Sequence, residues 1–238
     1  RSAPVTQADE IDGMMTTPEG DPVELLTQRS ATFGDQRLST RSSTPTIKGH
    51  SRIETGFLAG DQRRYYVPCP SCHEGQYLKW QQVRWDGRAS TGIEDAEKDF
   101  DQTHYPETAG YQCQFCDAIW GDGDRIAAIR DAERLGHGWK ASKPFKGHVS
   151  FHAPELLSTF RCMRDIVQSY LDKTAVDDLQ SFVNVSLGET FEETGEKADP
   201  ESLIARCEEY AAQVPSGGVY LTAGIDMQVD RLELEIVA

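Results

Sequence analysis

Four of the chain's six cysteines stand as two C-x-x-C pairs, Cys69-Pro70-Ser71-Cys72 and Cys113-Gln114-Phe115-Cys116. A C-x-x-C turn offers two sulfurs to one ion, and two such turns complete the tetrahedral set of thiolates that Zn²⁺ favours. A site of four sulfurs keeps no open coordination position, so its expected role is folding and not catalysis. A disulfide pair or a redox motif is the competing reading; the two-plus-two arrangement, without an apolar leader segment, favours zinc. His73, directly after the second cysteine, reads as a turn residue, and Cys162 and Cys207 read as core thiols on helix faces. Carboxylates are the second chemical resource. Asp9-Glu10-Ile11-Asp12 could be a solvated turn, but an Asp-Glu pair at a strand end also suits nucleotide hydrolysis. There the Asp holds Mg²⁺ and the Glu polarises the attacking water. Gly224-Ile225-Asp226 by itself reads as an ordinary strand end.

These residues need elements to position them. Asp21-Pro22-Val23-Glu24 has the pattern of a helix start, with Asp as the cap and Pro at the first helical position. Residues 37–43 form a candidate strand of unusual polarity, ended by Ser43-Thr44-Pro45-Thr46. Each cysteine pair is followed by β-prone residues, at 76–80 and 118–120, as in a zinc ribbon, and residues 93–108 between them read as an acidic loop. A helix is expected over 125–135, with Ile126 and Ile129 on one face and Gly136 past its end. Another should be capped by Ser158, with Phe160, Met163, Ile166, Val167, Tyr170 and Leu171 at a 3.6-residue rhythm. Asp199-Pro200 opens a further one through Leu203, Ile204, Cys207 and Tyr210. Residues 219–225 and 231–237 read as two strands of an antiparallel hairpin.

Length and charge set outer bounds. At 238 residues the chain has ample material for one large or two modest domains, and no apolar run approaches a membrane span. The net charge of −15 opposes non-specific attraction to nucleic acid, so a DNA-binding role requires local basic patches or divalent metals at acidic sites. Residues 37–41, with Lys48 and Arg52, are the nominated patch.

Together the motifs form an ordered series. "ADEIDGM…EGDPVELLTQR…TF", "SSTPTIKGHSRIE" and "GDQRRYYVPCPSC…QYLKW" are followed by "SFVNVSLGETFEE" and "VYLTAGIDMQVDRLELEIV". This series closely resembles the lambda-type (GpA) phage terminase large subunit, from near Ala8 to the last residue. The resemblance implies a P-loop ATPase that drives double-stranded DNA into a preformed capsid, joined to an RNase H-like nuclease that cuts concatemeric DNA. On that likeness Asp9 is the Walker B acid, Glu10 the catalytic glutamate, and Ser43, Thr44 and Pro45 the coupling segment that senses the nucleotide. Asp226 matches the first metal-binding carboxylate of the nuclease, with Asp230 a weaker candidate whose surface-turn role competes. ATP, Mg²⁺ and structural zinc are the implied cofactors. The implied partners are double-stranded DNA, the small terminase subunit, the portal of the procapsid and further copies of the chain, in the host cytoplasm and away from membranes.

The expected fold is mixed α/β. It comprises the trailing part of a P-loop ATPase parallel sheet (1–64), a zinc ribbon (65–121), a helical linker (122–215) and the first hairpin of an RNase H-like nuclease (216–238). No G-x-x-x-x-G-K-[ST] occurs in these residues and the chain does not begin with Met, so it is expected to be an internal piece, by itself inactive toward ATP and DNA. A non-enzymatic zinc-ribbon interaction module and a metal-dependent nuclease unrelated to packaging are the alternatives.

Overall fold

The computed structural model describes residues 2–89, 92–93, 102–192, 222–227 and 232–237, in two compact units, 1–193 and 194–238. The first unit opens with β1 (Val5–Ala8), which pairs in parallel with β2 (Leu38–Arg41). Between them lies α1 (Pro22–Gln28). Its cap is Asp21, whose carboxylate accepts the Val23 and Glu24 N–H groups at 2.8 and 3.2 Å, filling the donors left open at a helix start. Ala8, Ile11 and Val23 form the small core beneath, with Ile53 from α2 (Arg52–Ala59) against it. The polarity of β2 has a simple cause: all four of its residues are exposed, and β1 is its sole strand partner among the described residues.

Two further sheets follow. β3 (Arg63–Pro68) lies between β4 (Gly75–Tyr77) and β8 (Gly138–Lys140), both antiparallel to it, and also pairs in parallel with β9 (Phe151–His152). β5 (Val83–Asp86), β6 (Tyr105–Gln112) and β7 (Ile119–Trp120) form an antiparallel three-stranded sheet. The core of this unit is aromatic. Trp80 packs against Tyr170 and Phe182 with ring centroids 5.0 and 4.8 Å apart, and Trp85 adds to the cluster. Helix α4 (Met163–Ala175) buries Met163, Ile166, Val167 and Tyr170, a three-and-four spacing that presents one stripe, and it packs on β6. Each such side chain contributes about 1.5–3 kcal/mol on burial. The residues read as a zinc ribbon thus share their sheet with β8 and β9, and their core continues through α4.

Charged groups join the parts. Arg125 on α3 (Asp122–Asp131) is wholly buried and donates to the carbonyls of Leu156, Ser158 and Arg161 at 2.6, 2.8 and 2.7 Å. Asp122 pairs with it at 2.8 Å and also accepts the Met163 N–H at 2.9 Å, so α3 supplies the cap of α4. That corrects the expected start of this helix. The Ser158 hydroxyl accepts the Phe160 and Arg161 N–H groups, but the helix begins at Met163 and Phe160 is 96% exposed. Cys162 is accordingly a half-buried residue at the helix end and not a core thiol. Residues Tyr105-Pro106-Glu107-Thr108, expected in a loop, belong to β6 and pair toward β5.

In the second unit β10 (Thr222–Met227) and β11 (Leu232–Val237) form the anticipated antiparallel pair, with Asp226 opposite Glu233. The helix expected from Asp199, Cys207 with it, and Asp230 lie outside the described residues. No helix among the described residues is long and apolar enough to cross a membrane.

Candidate functional site

The carboxyl end of β1 falls at Ala8, so Asp9 and Glu10 emerge just beyond the parallel pair, both exposed. β2 runs in register with Ala8 opposite Arg41, which brings Ser42 and Ser43 out beside them. Ser42 donates its hydroxyl to Asp9 Oδ1 at 2.7 Å and its N–H to the Ala8 carbonyl at 2.9 Å. Glu10 adopts a left-handed backbone, φ 53°, uncommon for a residue with a Cβ. Asp12 completes the arrangement: its N–H donates to Ser43 Oγ at 3.1 Å, and its carboxylate accepts the Thr46 hydroxyl at 3.1 Å and the Ile53 N–H at 2.8 Å. The structure thereby gathers Asp9, Glu10, Ser43, Thr44 and Pro45 at one strand end, the place where open parallel sheets present ligand-binding groups.

The four paired cysteines also converge. Their sulfurs all lie within 4.8 Å of one another, with Cys69 to Cys116 at 3.7 Å and Cys72 to Cys113 at 3.8 Å. A disulfide would require about 2.05 Å. A tetrahedral ion with bonds of about 2.3 Å would set sulfur–sulfur edges of about 3.8 Å, so the donor set fits zinc. The two turns repeat one design. The first cysteine of each donates its N–H to the carbonyl five residues on, Glu74 or Ala118, at 2.9 Å. The residue after each second cysteine, His73 or Asp117, takes a positive φ of 63° or 59°. Cys69 Sγ accepts the Ser71 and Cys72 N–H groups, and Cys113 Sγ accepts those of Phe115 and the Gln76 amide, at 3.2 to 3.4 Å. Burial opposes ionisation of Cys113, but the Phe115 N–H, the Gln76 amide and the Cys116 N–H bring its thiol down to about 6. At Cys72 the Glu74 N–H favours the thiolate, yet burial and the crowding of three other sulfurs push it up to about 12. Such crowding is relieved by a shared cation.

Comparison with known proteins is consistent along the whole chain. Residues 1–139 match the family described as "Phage terminase large subunit gpA, ATPase domain", and residues 148–238 match "Terminase large subunit gpA, endonuclease domain". The chain belongs to the gpA terminase large subunit family. The terminase large subunit of Enterobacteria phage P21 is 33% identical over 242 residues, covering 92% of this chain and 35% of that protein. That of Escherichia phage lambda is 33% identical over 239 residues, covering 90% and 35%. The chain thus spans about a third of the length of these gpA relatives. No solved structure matches it. Membership of the gpA family does not favour an isolated interaction module or an unrelated nuclease, because neither accounts for the two domain matches.

Within this gpA chain the cysteine centre falls in the ATPase-matched part, and Asp226 stands in β10 of the endonuclease-matched part. The seam between the two matches is not a structural boundary: residues 148–193 fold into the first unit. Several side chains important to these sites carried no local signal. Asp12 was visible as an acid but not as the tie between strand end and α2. Gln76, which serves Cys113 through its amide nitrogen and the Gln114 N–H through its oxygen, is an unremarked strand residue. Within the nominated basic patch, Lys48 pairs with Glu192 at 2.7 Å and Arg52 with Asp21 at 2.9 Å.

Proposed function

We propose that the chain forms part of a phage DNA-packaging motor subunit, which uses ATP to translocate double-stranded DNA into procapsids and cuts concatemeric DNA with its nuclease. The observation that carries the reading is the parallel pair β1–β2, which sets Asp9 and Glu10 beside Ser43, Thr44 and Pro45. In this reading residues 1–64 are the trailing part of a P-loop ATPase sheet, 65–121 a zinc ribbon, 122–215 a helical linker and 216–238 the opening hairpin of an RNase H-like nuclease. The antiparallel β10–β11 pair and the four convergent cysteines support the last and second of these.

Asp9 is the acid that would hold Mg²⁺, and Glu10 the base that orients water for attack on the nucleotide. Ser42 fixes the Asp9 carboxylate, and a change in that contact would pull on Ser43-Thr44-Pro45, which is how the segment would sense the nucleotide. The phosphate-cradling motif is not among these residues, so no step is assigned to the phosphates. Zinc, when bound, supplies a closed cross-link, held by Cys69, Cys72, Cys113 and Cys116. Asp226 would contribute to the divalent-ion site of the nuclease, where carboxylates hold the ions that stabilise attacking and leaving oxygens; Asp230 is the weaker candidate. The working assembly would be a homo-oligomer on the portal, receiving DNA with the small terminase subunit in the host cytoplasm.

The test is a packaging reaction with procapsids, small subunit and concatemeric DNA, using the gene product carrying Glu10→Gln or Asp226→Ala. Glu10→Gln is expected to slow ATP turnover and DNA uptake by about 10²–10⁴-fold. Asp226→Ala should abolish cutting while ATP turnover persists. Uptake at the normal rate by Glu10→Gln would refute the assignment.

A further inference from the structure

Acidic residues outnumber basic ones 39 to 24, yet the stretches 62–73, 75–85 and 134–154 contain no Asp or Glu, as is also true of 36–53. β3 comes from the first, β4 from the second, and β8 and β9 from the third, and these four strands hydrogen-bond into one sheet. Segments avoiding acid in an acidic chain have therefore been folded together. The acids that come near are few: Asp61 is buried and bonded to Arg63 at 2.8 Å, Glu74 is exposed in the turn between β3 and β4, Glu133 lies by Tyr65, and Glu189 lies by Arg64.

The loop joining β8 to β9 is presented by this sheet. At its start the Ser142 and Lys143 N–H groups donate to the Asp61 carbonyl, both at 3.1 Å. At its end Ser150 donates its N–H to the Asp61 carboxylate at 3.1 Å and its hydroxyl to the Phe57 carbonyl at 2.9 Å. With both feet pinned on one buried residue, everything between, including Lys143, Phe145, Lys146 and His148, is exposed. Lys140 extends the charge along β8, and no ion pair holds Lys140, Lys143 or Lys146 among the described residues. Trp139 and Phe151 stack edge-to-face at 4.9 Å at the loop base, leaving apolar surface beside the cations.

We infer that Lys140, Lys143 and Lys146, with Phe145 at the loop tip, form a contact surface for the phosphate backbone of duplex DNA, a site that rests on the packaging reading. Lysines that meet phosphates bind by releasing counterions and require no base sequence, which suits a protein that moves along DNA. Charge complementarity selects a polyanion: the chain as a whole is acidic, and on this sheet the acids are few.

The experiment titrates the full 238-residue chain into a labelled mixed-sequence duplex of about 30 base pairs, following anisotropy from low to moderate salt. The test variant is Lys140→Glu, Lys143→Glu, Lys146→Glu; the control, Arg130→Glu, Arg134→Glu, Arg164→Glu, makes the same change in net charge on exposed faces of other elements. A milder variant, Lys143→Gln with Lys146→Gln, guards against misfolding, and zinc content and thermal melting are recorded for all. The expected result is binding at least about tenfold weaker for the test variant, with its salt slope shallower by about 3, and an unaltered control. Equal loss in test and control, undiminished binding by the test variant, absence of duplex binding by the parent chain, or preferential binding of polyglutamate overturns the surface. None of these outcomes touches the packaging reading, which stands or falls on uptake by Glu10→Gln.

Discussion

Cys69 and Cys113 are fully buried, whereas Cys72 is half-buried and Cys116 exposed, so the centre is anchored from inside and closed from outside. The two hairpin turns it joins belong to different sheets, β3–β4 and β6–β7, and metal binding there would be folding free energy for both. Replacement of Cys69 by Ser removes an inner ligand and leaves buried sulfurs without a counter-charge. With zinc held as proposed, the expected outcome is that metal analysis finds one zinc per parent chain and none in the variant, with destabilisation above ~4 kcal/mol, in the range reserved for lost metal or core. Full zinc content in Cys69→Ser would exclude the four-sulfur centre. At the same scale, Asp9 illustrates how chemistry and packing differ in legibility. The four cysteines announce themselves by spacing, and their convergence was anticipated. Asp9-Glu10 needed family likeness, because nothing in an exposed acidic pair says that β2 will arrive beside it.

Elements were legible where pattern is local and illegible where partners are remote. The Asp21-Pro22 start of α1 and the stripe on α4 follow from neighbouring residues, and both stand as expected. The start of α4 does not, because its cap comes from Asp122, 41 residues earlier. β8 is three residues, Gly138-Trp139-Lys140, with too little pattern to announce its pairing to β3. Lys48 is a further remote case, pairing with Glu192 from 144 residues away. The Asp122–Arg125 pair is a strong case of remote tying, since one buried guanidinium holds three carbonyls in the segment before α4. Lysine cannot reproduce that fork of donors. Arg125→Met should cost about 3–5 kcal/mol, as removal of one partner of a buried ion pair does. In a unit of this size that is a fall in Tm of roughly 10 °C by calorimetry. A melting temperature unchanged in Arg125→Met would mean the clasp contributes nothing to the folded state.

At the scale of the molecule, the seam between the two family matches, residues 139–148, falls within one compact unit and not at its boundary. Phe191 is the farthest link: its N–H donates to the Thr46 carbonyl at 2.9 Å and its carbonyl accepts the Lys48 N–H at 3.0 Å. Thr190 adds a bond to Glu54 at 2.8 Å. Residues of the endonuclease match thus bind directly behind Ser43-Thr44-Pro45. If the unit is held this way, cutting its exposed 141–149 loop should not take it apart. Brief trypsin treatment is expected to cleave after Lys146, since bonds before Pro144 resist. The two pieces should then co-elute on native size exclusion, because β9 remains paired to β3 and Arg125 to the carbonyls before α4. They should separate only in denaturant, with the zinc retained on the piece bearing all four cysteines. Separation under native conditions would show the two matched regions of this unit to fold independently.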